Sequence, residues 1–110
     1  MIIALDYDDT FTADKELWTW FVERAKKSGH EVSFVTYRFS YRPKGYDNAD
    51  IEEDAKVLGI PVVFTEGKQK SHVFKADIWI DDSPYMIAGY KQMKGMIAGC
   101  ETQQDTEEKH

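Results

Sequence analysis

This sequence predicts an α/β fold built on a central parallel sheet, and three observations carry that expectation. Short apolar runs alternate with stretches of helical periodicity along most of the chain. The first strand, helix and strand are completed within about thirty residues, the size of a crossover joining parallel strands. Ile78-Trp79-Ile80 is apolar at successive positions, so that strand needs cover on both faces, as in a sheet flanked by helices. At 110 residues the chain has the length of one domain with a modest core.

The elements follow in order. Met1 to Leu5 is an apolar run that stops at acids and reads as the first strand. Asp14 can cap a helix through the free amides of its first turn. Leu17, Trp18, Phe21, Val22 and Ala25 then recur at helical spacing, with Trp20 off that face. Lys26 and Lys27 suit the negative end of the helix dipole, and Gly29 suits the position past it. Glu31 to Thr36 is the second strand. Phe39 to Asn48 is a loop broken by Pro43 and Gly45. A helix from about Ala49 to Leu58 follows, ended by Gly59. Ile51, Ala55 and Leu58 mark its inner face, and Asp50, Glu52 and Glu53 give it an acidic first turn that complements its dipole. Pro61 to Thr65 is a third strand, Gly67 to Lys75 a loop with a short helical piece, and Asp77 to Asp81 the fourth strand. A short helix near Tyr85 to Tyr90 and a brief strand near Gly95 to Ala98 would close the domain. The expected division is a core over 1–100 and an acidic, solvated tail over 101–110.

Composition narrows the function classes. The net charge of −6 argues against a general grip on nucleic acid. Four acids and one lysine after Cys100 account for half of it, so the body is only mildly acidic. No apolar run approaches a bilayer span, and the N-terminus lacks the basic region of a secretory signal, so no membrane is expected as a partner. The single cysteine, Cys100, excludes an internal disulfide framework and fits a reducing cytoplasm.

The chemistry lies at the strand ends. Ile2 to Leu5 runs into Asp6-Tyr7-Asp8-Asp9-Thr10, and Ile78 to Ile80 runs into Asp81-Asp82-Ser83-Pro84. Between them, Val32 to Val35 runs into Thr36-Tyr37-Arg38. In a parallel sheet these ends share one edge, where open α/β folds bind ligands. Carboxylates gathered there repel one another unless they take up a proton or hold a cation, and hard oxygen ligands suit Mg2+. One carboxylate can attack phosphorus and form an aspartyl intermediate while a second handles the proton of the leaving oxygen. Asp81 or Asp82 would complete the Mg2+ site, and Thr36 offers a hydroxyl to a phosphoryl oxygen. A lysine is still required to neutralise transition-state charge, and Lys70 or Lys68 can reach this edge. The loop after Thr36 interleaves Arg38, Arg42 and Lys44 with Tyr37, Phe39, Tyr41 and Tyr46, a composition able to bind phosphate and stack bases.

This order of motifs resembles the haloacid dehalogenase (HAD) superfamily of phosphohydrolases, over about Met1 to Pro84. Asp6-Tyr7-Asp8-Asp9-Thr10 stands for its Asp-x-Asp-x-Thr motif, Thr36 for its strand-end Ser or Thr, Lys70 (with Lys68 in reserve) for its lysine, and Asp81-Asp82 for its acidic pair. The resemblance implies a Rossmann-like three-layer α/β/α sandwich with a central parallel sheet. It makes Asp6 the nucleophile and Asp8 the general acid/base; beside it, Thr36, the loop residues Tyr37 and Arg38, and Lys68 are expected toward the substrate. Asp6, the backbone carbonyl of Asp8, and Asp81 would bind Mg2+, with Asp82 either a ligand through water or a partner holding a ligand from behind. Phosphatases carry an acid at the Asp8 position and dehalogenases do not. No segment is long enough for a cap domain, so an open site is expected, suited to nucleotides or to phosphorylated nucleic-acid ends. The chain is also similar to small phage and bacterial members of that family.

Two other classes fit parts of the pattern. A receiver-type phosphoacceptor domain also uses an acidic pair, Thr, Lys and Mg2+, but its accepting Asp ends a middle strand and precedes the Thr. A catalytically silent Mg2+- or nucleic-acid-binding module on the same fold would hydrolyse nothing and still gain stability from its ligand.

Overall fold

The computed structural model describes residues 1–41 and 47–88. Its strands are β1 (Ile2–Leu5), β2 (Glu31–Thr36), β3 (Val62–Phe64) and β4 (Ile78–Ile80), and its helices are α1 (Lys15–Lys27) and α2 (Ala49–Leu58). The four strands form one parallel sheet in the order β3-β2-β1-β4. The chain steps outward from β1 through β2 to β3, then crosses back to pair β4 with the free side of β1.

Alternation along the strands divides the sheet's side chains between two faces. Ile3, Leu5, Val32 and Phe34 face one way and join a buried cluster with Val22 and Ala25 of α1 and Ile51, Ala55 and Leu58 of α2. The register sets Leu5 beside Phe34 on one side and Ile80 on the other. Ala4, Ser33 and Val35 point to the opposite face and are buried too, so the centre of the sheet is covered on both sides.

The helix limits follow the expected signals. The Asp14 carboxylate accepts from the Leu17 amide at 3.1 Å, capping α1. Gly59, at φ +68°, takes the left-handed conformation that ends α2. One detail of α1 differs from its apolar pattern. Leu17 is half-exposed, whereas Trp18, Phe21, Val22 and Ala25 pack inward. The stripe on a helix of this length is about 100° wide, and Leu17 falls just outside it. Trp20 is exposed, as its position requires.

The helical piece expected within 67–75 is a single 3₁₀ turn at Lys70–His72, and that expected after residue 84 is another at Pro84–Met86. The strand anticipated near residues 95–98, the far end of the helix anticipated to residue 90, the tail at 101–110, and Arg42, Lys44 and Tyr46 lie outside the described residues. Among the described residues no helix is long and apolar enough to cross a membrane.

Candidate functional site

At the carboxyl edge of the sheet, β1 and β4 are prolonged by one further ladder bond, from the Asp6 amide to the Ile80 carbonyl at 2.9 Å. Asp6 and Asp81 are therefore delivered side by side. The chain beyond Asp6 turns widely: the Phe11 amide reaches back to the Asp6 carbonyl and the Thr12 amide to the Tyr7 carbonyl. Asp8 is extended and Asp9 left-handed, at φ +64°, a conformation that Asp tolerates better than most residues. Tyr7 and Phe11 anchor this turn by packing on Phe34 at ring-centre distances of 5.2 and 5.0 Å. The bend sends the Asp6 and Asp8 side chains to different surroundings.

Asp6 points inward, and Lys70 meets it there. The Lys70 ammonium is buried and donates to Asp6 Oδ1 at 2.8 Å and to Asp81 Oδ2 at 2.5 Å. The backbone amide of Ser83 holds the other oxygen of Asp81 at 2.9 Å. The Thr10 hydroxyl lies 3.0 Å from Asp6 Oδ2 and 3.2 Å from Asp82 Oδ1, and it accepts from the Asp82 amide. One oxygen each of Asp6, Asp81 and Asp82 lies within 4.8 Å of the others, a hard donor set of the kind that can hold a metal ion. A single ammonium pairs with two of these three carboxylates, and Asp82 is met by the Thr10 hydroxyl instead. Burial, with repulsion from Asp81 and a hydrogen bond to Asp82 that favours the protonated form, outweighs Lys70 and raises the Asp6 carboxyl to about 7. The site is short of positive charge, which a proton or a cation would supply.

These groups border a cleft of about 140 Å³ lined by Asp6, Asp8, Asp9, Thr36, Tyr37, Asp81, Asp82, Ser83 and Met86. Thr36 is buried, and its hydroxyl oxygen accepts from the Arg38 amide at 3.3 Å, which leaves the hydroxyl proton to be donated toward the cleft. Tyr37 stands at the mouth, 40% exposed.

The sequence left Lys70 and Lys68 as alternatives. Lys70 is the one beside Asp6; Lys68 is exposed on the turn after β3. Asp8, expected to offer the metal its backbone carbonyl, keeps its carboxylate outside the group formed by Asp6, Asp81 and Asp82, as that expectation requires. It is held instead by Arg38, whose Nε donates to Asp8 Oδ2 at 2.9 Å and whose Nη2 donates to Oδ1 at 2.6 Å. Arg38, expected to meet substrate, does not line the cleft. Thr10 is a site residue that its place in the first acidic motif could have revealed. Asp50 and Asn48, which hold the far side of Arg38, had no local signal of their own.

Comparison with protein-family models, with curated proteins and with solved structures returned no match.

Proposed function

We propose that this chain is a Mg2+-dependent phosphomonoester hydrolase that works through an aspartyl-phosphate, on a capless fold of the HAD type. The observation that carries this reading is the buried ammonium of Lys70 between Asp6 and Asp81, at the edge where β1, β2 and β4 end. An ion pair this deeply buried is costly to build for stability alone, and a solvated turn would not need it.

Asp6 attacks phosphorus through one carboxylate oxygen, and the bond from phosphorus to the leaving oxygen breaks with its electron pair going to that oxygen. Asp8, once it has taken a proton from solvent on an oxygen released by Arg38, gives that proton to the leaving oxygen. Asp8 then takes a proton from water as the water oxygen attacks the aspartyl-phosphate, which releases inorganic phosphate and restores Asp6. Lys70 orients Asp6 and neutralises charge on the phosphoryl oxygens, and Thr36 donates to one of them. Asp6, Asp81 and Asp82 would hold the ion, whose contribution when bound is to offset the repulsion between a carboxylate nucleophile and an anionic substrate. The donor set and its shortage of positive charge both fit a divalent cation.

Substrates are nucleotides or phosphorylated nucleic-acid ends in this reading. Tyr37, Phe39 and Tyr41 are exposed on the loop that leaves Thr36, where bases can stack. Only residues 6–14 join β1 to α1, which leaves the cleft open to an extended substrate.

The test is a screen of phosphomonoesters with Mg2+ that includes nucleoside 5′- and 3′-monophosphates and 3′-phosphorylated oligonucleotides. Release of phosphate that stops with chelator and returns with Mg2+ is expected. A lack of hydrolysis across the whole panel would overturn the reading in favour of a silent binding module.

A further inference from the structure

Asp8 sits on an exposed turn with half of its side chain in solvent. A carboxylate in that setting samples several rotamers, which is a poor arrangement for delivering a proton to one atom. The structure addresses this through Arg38. Two donors of the guanidinium grip both oxygens of Asp8. Two more grip both oxygens of Asp50, at 2.8 and 2.9 Å, and the fifth reaches Asn48 Oδ1 at 3.3 Å. All five donors of the guanidinium are thus engaged. Its face lies over the ring of Tyr7, 5.3 Å from the ring centre. Tyr7 is buried, and its hydroxyl donates to Asp54 on α2. Asn48 is buried as well, and its amide donates to the carbonyls of Phe39 and Ser40.

We infer that Asp50 is a positioning residue for the proposed reaction, acting through Arg38 to set the place and orientation of Asp8. This rests on the reading of Asp8 as the general acid. The guanidinium is planar and rigid, so fixing one of its edges to the start of α2 fixes the other edge, and with it the carboxylate it holds. Asp50 itself is half-exposed and far from Asp6 in sequence, and neither it nor Arg38 lines the cleft. A direct role for Arg38 on substrate phosphate would need several of its donors vacated; a positioning role needs only one Asp8 oxygen released from the guanidinium to carry the proton, with the Asp50 edge left in place.

The two roles separate by leaving group. An aryl phosphate such as p-nitrophenyl phosphate expels a stable anion and needs little help from a general acid, whereas a nucleoside 5′-monophosphate expels an alkoxide and needs the proton. Asp50→Asn, Asp50→Glu and Arg38→Lys are compared with wild type on both substrates, with kcat and KM measured separately and folding checked by thermal melts. The expected result is that Asp50→Asn and Arg38→Lys raise the ratio of kcat on aryl phosphate to kcat on nucleotide by about tenfold or more, within the range a general acid contributes. KM changes less than kcat, and Asp50→Glu recovers part of the loss. Equal falls on both substrates, or a rise in KM alone, would overturn the inference and leave the hydrolase reading standing. Where another alkyl phosphate of the panel is the better substrate it replaces the nucleotide in this comparison; wild type inactive across the whole panel would overturn the hydrolase reading, and the inference with it.

Discussion

Asp6 and Lys70 carry most of the energetic consequence of the site. Breaking a buried ion pair by removing one partner typically costs about 3–5 kcal/mol, because the remaining charge is left unpaired. Lys70→Met should lower stability by about that amount in chelator near pH 8, read by urea unfolding; a change no larger than a surface substitution gives would contradict the burial assigned to this pair. At Asp50 the sign is different. Hydrogen bonds from Arg38 hold its carboxyl at about 2, below the ordinary 3.8. A depressed folded-state pKa gives stability that is present above the unfolded value and is lost as pH falls through the folded one. Wild type should therefore exceed Asp50→Asn in stability at every pH above 3.8, with the gap closing as pH falls through about 2. A gap that persisted unchanged in acid would show that the Arg38 pair is not its source. Asp6, Asp8, Thr36, Asp81 and Asp82 could be placed at this edge from the sequence because each lies at or just past a strand end, where position decides which edge it reaches; Lys70 stayed open against Lys68, because a lysine in a polar loop carries no positional signal of its own. The Arg38–Asp50 pair was not legible. Asp50 reads as one of several acids at a helix start, and nothing local says which acid an arginine in the preceding loop will choose.

Elements were legible where two independent signals agreed. α1 has an aspartate cap, an inward stripe and a glycine beyond its end, and α2 has a stripe and Gly59. Leu17 shows the limit of periodicity: an apolar residue at a permitted spacing can still fall at the rim of the buried stripe. The α2 terminus offers a test at this scale. A side chain at Gly59 would be strained at φ +68°, and its Cβ would come within 2.9 Å of Lys26 Nζ. That ammonium donates to the Leu58 and Gly59 carbonyls at 2.7 and 3.2 Å, tying α1 to the end of α2. Gly59→Ala should cost about 1–2 kcal/mol from the left-handed backbone alone, measured as a lowered urea midpoint. An unchanged midpoint would mean the helix can end in another conformation.

At the scale of the whole molecule, the order β3-β2-β1-β4 is what gathers the chemistry. It puts β1 between β2 and β4, so the residues after three strands converge although they are up to seventy-six positions apart, from Asp6 to Asp82. The parallel sheet was legible from its apolar runs and crossover lengths, although β4, expected to be covered on both faces, is exposed at Ile78 and only partly buried at Trp79 and Ile80 among the described residues, as an edge strand; the strand order was not legible, because no short-range signal states on which side of β1 the last strand will pair. In the proposed reading, a divalent cation held at this convergence competes with the proton on Asp6. Asp6, raised from 3.8 to about 7, contributes stability below 3.8 that is lost as pH rises toward 7, and a cation at the same carboxylates should restore it. Mg2+ should therefore raise the melting temperature more at about pH 8 than at about pH 6. Equal shifts at both pH values would place the ion elsewhere. The central claim, that Asp6 captures phosphorus, is tested most directly by quenching Asp8→Asn in acid after mixing it with Mg2+ and a phosphomonoester, then mapping covalent phosphate by mass spectrometry. The account predicts one phosphoryl group on the peptide containing Asp6 and none in Asp6→Asn; phosphate on Asp81 or Asp82, or none on a variant that still binds substrate, would contradict it.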